Sequence, residues 1–132
     1  MSLFGKDPRN EVRAIRRKTL NMILESSRSS FPNEFGALLR SKEGVIHELV
    51  LLPGTISGSR HAIFQLHMMP IDFSIVGTVH SHPSPNFSPS EADLDFFRRY
   101  GRIHIVTSYP FEEVDWAAYD LNGEEMELEV VD

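Results

Sequence analysis

Between Ile75 and Gly101 the chain changes period part-way along, and this limits the fold more than any other feature of the sequence. Ile75 to His82 is a β-type run rich in Val and Thr, closed by Pro83. After a short proline-rich loop, Ser88, Pro89 and Glu91 read as N-cap, N1 and N3 of a helix. That is a capping box with proline where its missing N–H costs nothing. Ala92, Phe96, Phe97 and Tyr100 follow at helical spacing, and Gly101 ends the run. A strand leading into an amphipathic helix belongs to a domain in which helix packs on sheet.

The rest of the chain follows the same two periods. Val12, Ile15, Thr19, Met22 and Ile23, with Arg and Lys between them, predict an amphipathic helix over residues 10–29, stopped by Pro32. Strands are expected over 34–41 and 45–52, around the turn Lys42-Glu43-Gly44, and over 61–67. Three more close the chain over 102–108, 115–121 and 124–131, the last two joined at Asn122-Gly123 as a hairpin. The order α-βββ-β-α-βββ gives an α+β fold with a curved mixed sheet sandwiched by helices. At 132 residues the expectation is one domain over residues 1–132, with residues 1–10 a flexible N-terminal extension.

Within the central stretch, His80 and His82 are two apart on a strand and face the same way, their Cα atoms about 6.5–7 Å apart. Two imidazoles so placed converge on one small cation. Ser90 and Asp93 are three apart on a helix and share a face. Asp93 lies one turn before Phe96 and Phe97, so its carboxylate is aimed inward, where it is expensive without a partner. A cation shared with two neutral imidazoles removes that cost. Two His and one Asp fill three places of a tetrahedron and leave the fourth for water, the pattern of catalytic zinc. Taken singly these are ordinary residues: two strand histidines, a helix-start serine and a first-turn acid favoured by the helix dipole. Their common register is what points to metal.

Composition narrows the chemistry. No Cys is present, which removes disulfides, thiolate catalysis and thiolate metal ligands together. Imidazole with one carboxylate then suits zinc best. A net charge of −6 argues against a nucleic-acid partner, even though a similar His-x-His-Pro motif occurs in proteins with such roles. No apolar run approaches the ~18 residues of a membrane span, and the N-terminus has no signal-type apolar core, so the expectation is a soluble, cytoplasmic protein. Lys6, Arg9, Arg13, Arg16, Arg17 and Lys18 make the start basic, and Glu124, Glu125, Glu127, Glu129 and Asp132 make the end acidic. Two solvated faces are the simplest account, with a docking patch for a charged partner the alternative. His47, His61, His67 and His104 have no partner at chelating spacing and are read as structural or exposed.

His80-x-His82, then seven residues, then Ser90-x-x-Asp93 resembles the signature of the JAMM (MPN+) metalloproteases. The likeness runs through Pro83 and includes a Glu on the first strand after the N-terminal helix, matched here by Pro32-Asn33-Glu34-Phe35-Gly36-Ala37-Leu38-Leu39. It covers about residues 12–131 and is strongest to the compact stand-alone archaeal type. The resemblance implies the JAMM/MPN architecture, related to that of cytidine deaminases, with one zinc ion held by His80, His82 and Asp93. It implies Glu34 as general base, which residue chemistry alone does not separate from Glu43 or Glu48, and Ser90 as a donor to the oxyanion. The reaction implied is hydrolysis of the isopeptide or peptide bond after the C-terminal Gly-Gly of a ubiquitin-like modifier. Thr55–Ala62 and Pro83–Phe87 are the expected groove walls. Two alternatives stand beside it: trimming of sulfur-carrier C-termini by the same chemistry, and a non-catalytic MPN scaffold, which usually lacks one or more of these ligands.

Overall fold

The computed structural model of the chain describes residues 11–51, 74–86, 88–99 and 101–132. In chain order the elements are β1 (Ala14–Arg16), α1 (Arg17–Ser30), β2 (Gly36–Lys42), β3 (Val45–Val50), β4 (Ile75–His82), α2 (Glu91–Arg99), β5 (Ile103–Ser108), β6 (Trp116–Asp120), β7 (Glu125–Met126) and β8 (Glu129–Val131). The expectations for residues 1–10 and for a strand over 61–67 lie outside the described residues. No described helix is long and apolar enough to cross a membrane.

The eight strands form one mixed sheet in the order β7-β6-β5-β4-β2-β3-β1-β8. β7 and β8 occupy opposite edges, yet only Glu127 and Leu128 separate them in the chain. Three residue steps span at most about 10 Å, whereas the edges of a flat eight-stranded sheet lie about 34 Å apart at ~4.8 Å per strand. The sheet therefore curls until its edges meet. α1 sits against one face, and Leu20, Ile23 and Leu24 pack with Ile15, Leu39, Ile46, Val79, Ile105 and Leu128. α2 sits against the other face, where Phe96 and Phe97 pack with Leu38, Val106, Ala117 and Tyr119. The alternation of Ala37, Leu38 and Leu39, and of Ile105 and Val106, between the two clusters is the period-2 pleat of strands buried on both sides.

Three boundaries differ from the sequence reading, each for a tertiary reason. Residues 14–16 are strand, not the first turn of α1, because β1 is flanked by parallel partners, β3 through Ala14↔Val45 and β8 through Ala14↔Glu129. Those pairings satisfy its backbone groups and bury Ala14 and Ile15 completely. The apolar spacing of Val12 and Ile15 suited a helix equally well. Residues 124–131 are two strands rather than one: β7 pairs with β6 as the expected hairpin, and the chain then crosses to β1. Leu128 enters the core at the crossing. The pairing of Ala14 with Glu129 brings the basic start and acidic end of the chain side by side. The third difference, the start of α2, belongs to the site.

One irregularity interrupts the pairing of the strand that carries the histidines. β2 pairs with β4 antiparallel from Gly36↔His80 to Leu39↔Gly77, then shifts to Arg40↔Ile75, leaving Val76 as an extra residue. Gly77 lies so close to β5 that a Cβ there would fall 1.6 Å from the Ile103 carbonyl oxygen. Gly101, at φ +119°, lets the chain leave α2 directly over Gly77 and enter β5, parallel to β4.

Candidate metal centre

β4 carries Thr78, His80 and His82 on the face that α2 covers. Asp93 projects from the first turn of α2 to meet the two histidines and is fully buried. His80 Nε2 and His82 Nε2 are 3.2 Å apart, His82 Nε2 and Asp93 Oδ2 3.2 Å, and His80 Nε2 and Asp93 Oδ1 3.4 Å. Ligands about 2.0–2.1 Å from a tetrahedral zinc stand about 3.3–3.4 Å from one another. The three groups thus already outline one face of such a tetrahedron, and among the described residues no other cluster of His and carboxylate groups has this spacing. His82 Nδ1 lies 2.9 Å from the Asn86 carbonyl oxygen. A carbonyl only accepts, so Nδ1 carries the proton and the Nε2 lone pair is free for a cation. The donor set and its spacing fit zinc.

The electrostatics agree with that reading. Burial works against ionising Asp93, but hydrogen bonds from His80 and His82, and from the Ser90 N–H, outweigh it and hold the carboxyl well below the usual carboxylate range. His82 is raised above its ordinary value, chiefly by its hydrogen bond to Asp93. Burial opposes that rise; the Asn86 carbonyl and the charges of Asp93 and Glu34 add to it. Three such donors converging on one point attract a cation.

Ser90 and Asp93 form the capping box of α2. The Asp93 N–H donates to Ser90 Oγ at 3.1 Å and the Ser90 N–H donates to Asp93 Oδ2 at 2.9 Å. The expected box of Ser88 and Glu91 is displaced by two residues: the Ser88 N–H instead donates to the Asn86 side chain, and Glu91 is exposed. Both pairs have the same spacing, so only the demand that Asp93 face inward separates them. The Ser90-x-x-Asp93 signature is therefore also the device that starts the helix.

The topology also separates the three candidate acids. Gly36 is the register partner of His80, and the strands continue past it through Ser81 N–H donating to the Phe35 carbonyl at 2.9 Å. Glu34, one residue further, stands at the metal end beside His82 and is half-buried. Glu43 lies in the turn at the far end of β2, at φ 54°, and Glu48 is bound to Arg40. Of the expected groove walls, Pro83–Asn86 is described and holds His82 through the Asn86 carbonyl, while Thr55–Ala62 and Phe87 lie outside the described residues. The Asn86 contact went unread in the sequence, although Asn two residues before Ser is an Asx-turn signal. His104 is a structural residue, as expected, but one bound into α2 and β4.

A family model of prokaryotic homologs of the JAB domain matches residues 16–122. A probable metalloprotease of Haloferax volcanii is 38% identical over 132 aligned residues, covering 92% of this chain and 81% of that protein. Among solved structures, one described as a JAMM metalloprotease-like zinc site in the proteasome and signalosome shares 41% identity at a TM-score of 0.74, covering 92% of this chain and 99% of that one. A JAB1/MPN domain protein from Archaeoglobus fulgidus shares 41% identity at a TM-score of 0.73, over 91% and 97% of the two chains. The chain belongs to the JAB/JAMM family, in its prokaryotic branch, as the motif resemblance implied.

Proposed function

We propose that this protein is a zinc metalloprotease that hydrolyses the isopeptide or peptide bond after the C-terminal Gly-Gly of a ubiquitin-like modifier. The carrying observation is the convergence of His80, His82 and Asp93 at 3.2–3.4 Å, with a half-buried Glu34 alongside. Held by these three residues, a zinc ion would supply a water made acidic enough to ionise at about pH 7 and a Lewis acid for the scissile carbonyl. Glu34 takes the proton of the attacking water and returns it to the leaving amine. Ser90 accepts from the Asp93 N–H, so its own O–H remains to donate to the oxygen on which charge develops. The Asn86 carbonyl keeps His82 in the tautomer that binds metal, with the proton on Nδ1.

The enclosure of the centre supports the substrate class. His80 and Asp93 side chains are 4% and 0% exposed and His82 only 16%, so the approach is narrow. An extended tail of glycines has no side chain to obstruct it, and tails of this kind bind readily by adding to a strand edge. The test is a ubiquitin-like protein ending in Gly-Gly, fused through a peptide bond to a short reporter, with the released terminus identified by mass. Cleavage after Gly-Gly that a chelator abolishes and zinc restores is expected, with Glu34→Gln inactive but still loaded with one zinc. A Glu34→Gln chain that still cleaves overturns the base assignment, and failure to cut any such fusion overturns the substrate class.

A further inference from the structure

β4 and α2 meet at the metal centre, and about one helical turn away they are joined a second time. Thr78 stands two residues before His80 on the same face of β4, and Phe97 stands one turn after Asp93 on the same face of α2. His104, the register partner of Thr78 on β5, lies between them and is completely buried. Its Nδ1 is 2.7 Å from Thr78 Oγ1, and its Nε2 is 3.0 Å from the carbonyl oxygens of both Phe97 and Gly101. Carbonyls only accept, so Nε2 carries the proton and Nδ1 accepts from the Thr78 hydroxyl. The imidazole also lies flat on the Phe97 ring, with centroids 4.3 Å apart and planes 7° apart. Phe97 in turn packs beside His80, their ring centroids 6.3 Å apart.

α2 has nine residues, about 13–14 Å of helix. Its first turn reaches the sheet through Asp93, its last turn through the Phe97 carbonyl on His104, and the chain beyond it through the Gly101 carbonyl. Packing of Phe96 and Phe97 holds this short helix on the sheet but is non-directional, and a metal centre tolerates little displacement of a ligand. We propose that Thr78 and His104 are positioning residues of the metal centre: this second clasp sets where Asp93 lies relative to His80 and His82, and so sets the affinity for zinc. The inference rests on reading His80, His82 and Asp93 as the ligands. Coupling between two such clasps is reciprocal, so an intact clasp also enlarges the stabilisation that zinc gives the fold.

Zinc affinity of the full chain, measured by competition with a chromophoric chelator at a temperature where circular dichroism shows each variant fully folded, tests this. Thr78→Val removes the hydroxyl at nearly constant volume and is expected to weaken zinc binding about tenfold, in the range seen when groups behind metal ligands are removed. Thr78→Ser, which restores the hydroxyl, is expected to stay within about threefold of the unsubstituted chain. The zinc-induced rise in Tm should shrink in Thr78→Val and recover in Thr78→Ser. His104→Phe, which keeps the stacking and loses the hydrogen bonds, should behave as Thr78→Val; if it fails to fold, the Thr78 pair decides. A role confined to stability would lower the Tm of Thr78→Val and leave its zinc affinity untouched, and that result overturns the inference. Asp93→Ala reports on the ligand reading separately: undiminished zinc binding there removes the ligand assignment, whereas zinc lost in Asp93→Ala but indifferent to Thr78 removes only the clasp.

Discussion

Replacing Ser90 by Ala tests two roles of one hydroxyl, the helix cap seen in the structure and the oxyanion donation proposed above. As N-cap, Ser90 Oγ accepts the Asp93 N–H at 3.1 Å, and losing a cap of this kind costs about 1 kcal/mol. For a chain of this length that is about 3–5 °C in Tm. As oxyanion donor, its loss removes about 10²–10³ in kcat. Domains are stable by about 5–15 kcal/mol, so 1 kcal/mol leaves under about 1% of the chain unfolded and explains none of the rate loss. The two effects part company in Ser90→Gly, since Gly at an N-cap costs only a few tenths of a kcal/mol. Ser90→Gly should therefore melt within about 2 °C of the unsubstituted chain and be as slow as Ser90→Ala, while Ser90→Thr keeps both properties. The assay is the rate on the Gly-Gly fusion beside thermal unfolding of the zinc-loaded protein. Activity of Ser90→Ala within about threefold of normal, far less than the loss of such a donor produces, refutes the donor role. Activity that follows Tm through the series refutes the separation of roles.

Three further outcomes follow from burial and spacing. Burial pushes His104 down to about 4 against the opposing hydrogen bonds that its ring N–H donates to the Gly101 and Phe97 carbonyls, so the unfolded chain binds a proton between pH 6.5 and 4 that the folded chain refuses. This contribution to stability is fully present above about pH 6.5 and falls by about 3 kcal/mol as pH is lowered to 4. The metal-free chain should lose Tm through that window more steeply than His104→Phe, and equal slopes would contradict the account. Gly77→Ala drives a Cβ into the Ile103 carbonyl oxygen at 1.6 Å, so it should destabilise by more than about 4 kcal/mol; a normal denaturant midpoint would show that β4 and β5 can separate there. Ser108, the register partner of His82, has a buried hydroxyl with no hydrogen-bond partner among the described residues, so Ser108→Ala should leave Tm unchanged or slightly raised. A clear fall in Tm would reveal a bond to that oxygen.

The site was more legible than the fold around it. His80, His82, Ser90 and Asp93 all fall within fourteen consecutive residues, where strand and helix periodicities dictate which side chains face together. Local geometry was enough to predict that they converge. Glu34 stands more than forty residues away in the chain, and only the register of Gly36 opposite His80 sets it, and not Glu43 or Glu48, at the end of β2 beside the histidines. The capping box was read two residues early because Ser88 with Glu91 satisfies the same spacing as Ser90 with Asp93. Burial of the second carboxylate decides between them.

The residue pattern by itself settled the alternation of strand and helix from Ile75 to Gly101, the pairing of two imidazoles on one face, and a chemistry without thiolates. Those properties depend on neighbours in the chain and on which residue types are present at all. Tertiary structure alone decided that residues 14–16 are strand, that β7 and β8 part to opposite edges of a curled sheet, and that His104 ties α2 to β4. Each of these depends on backbone and side-chain partners distant in sequence, and a short apolar run carries no record of which partner will satisfy it.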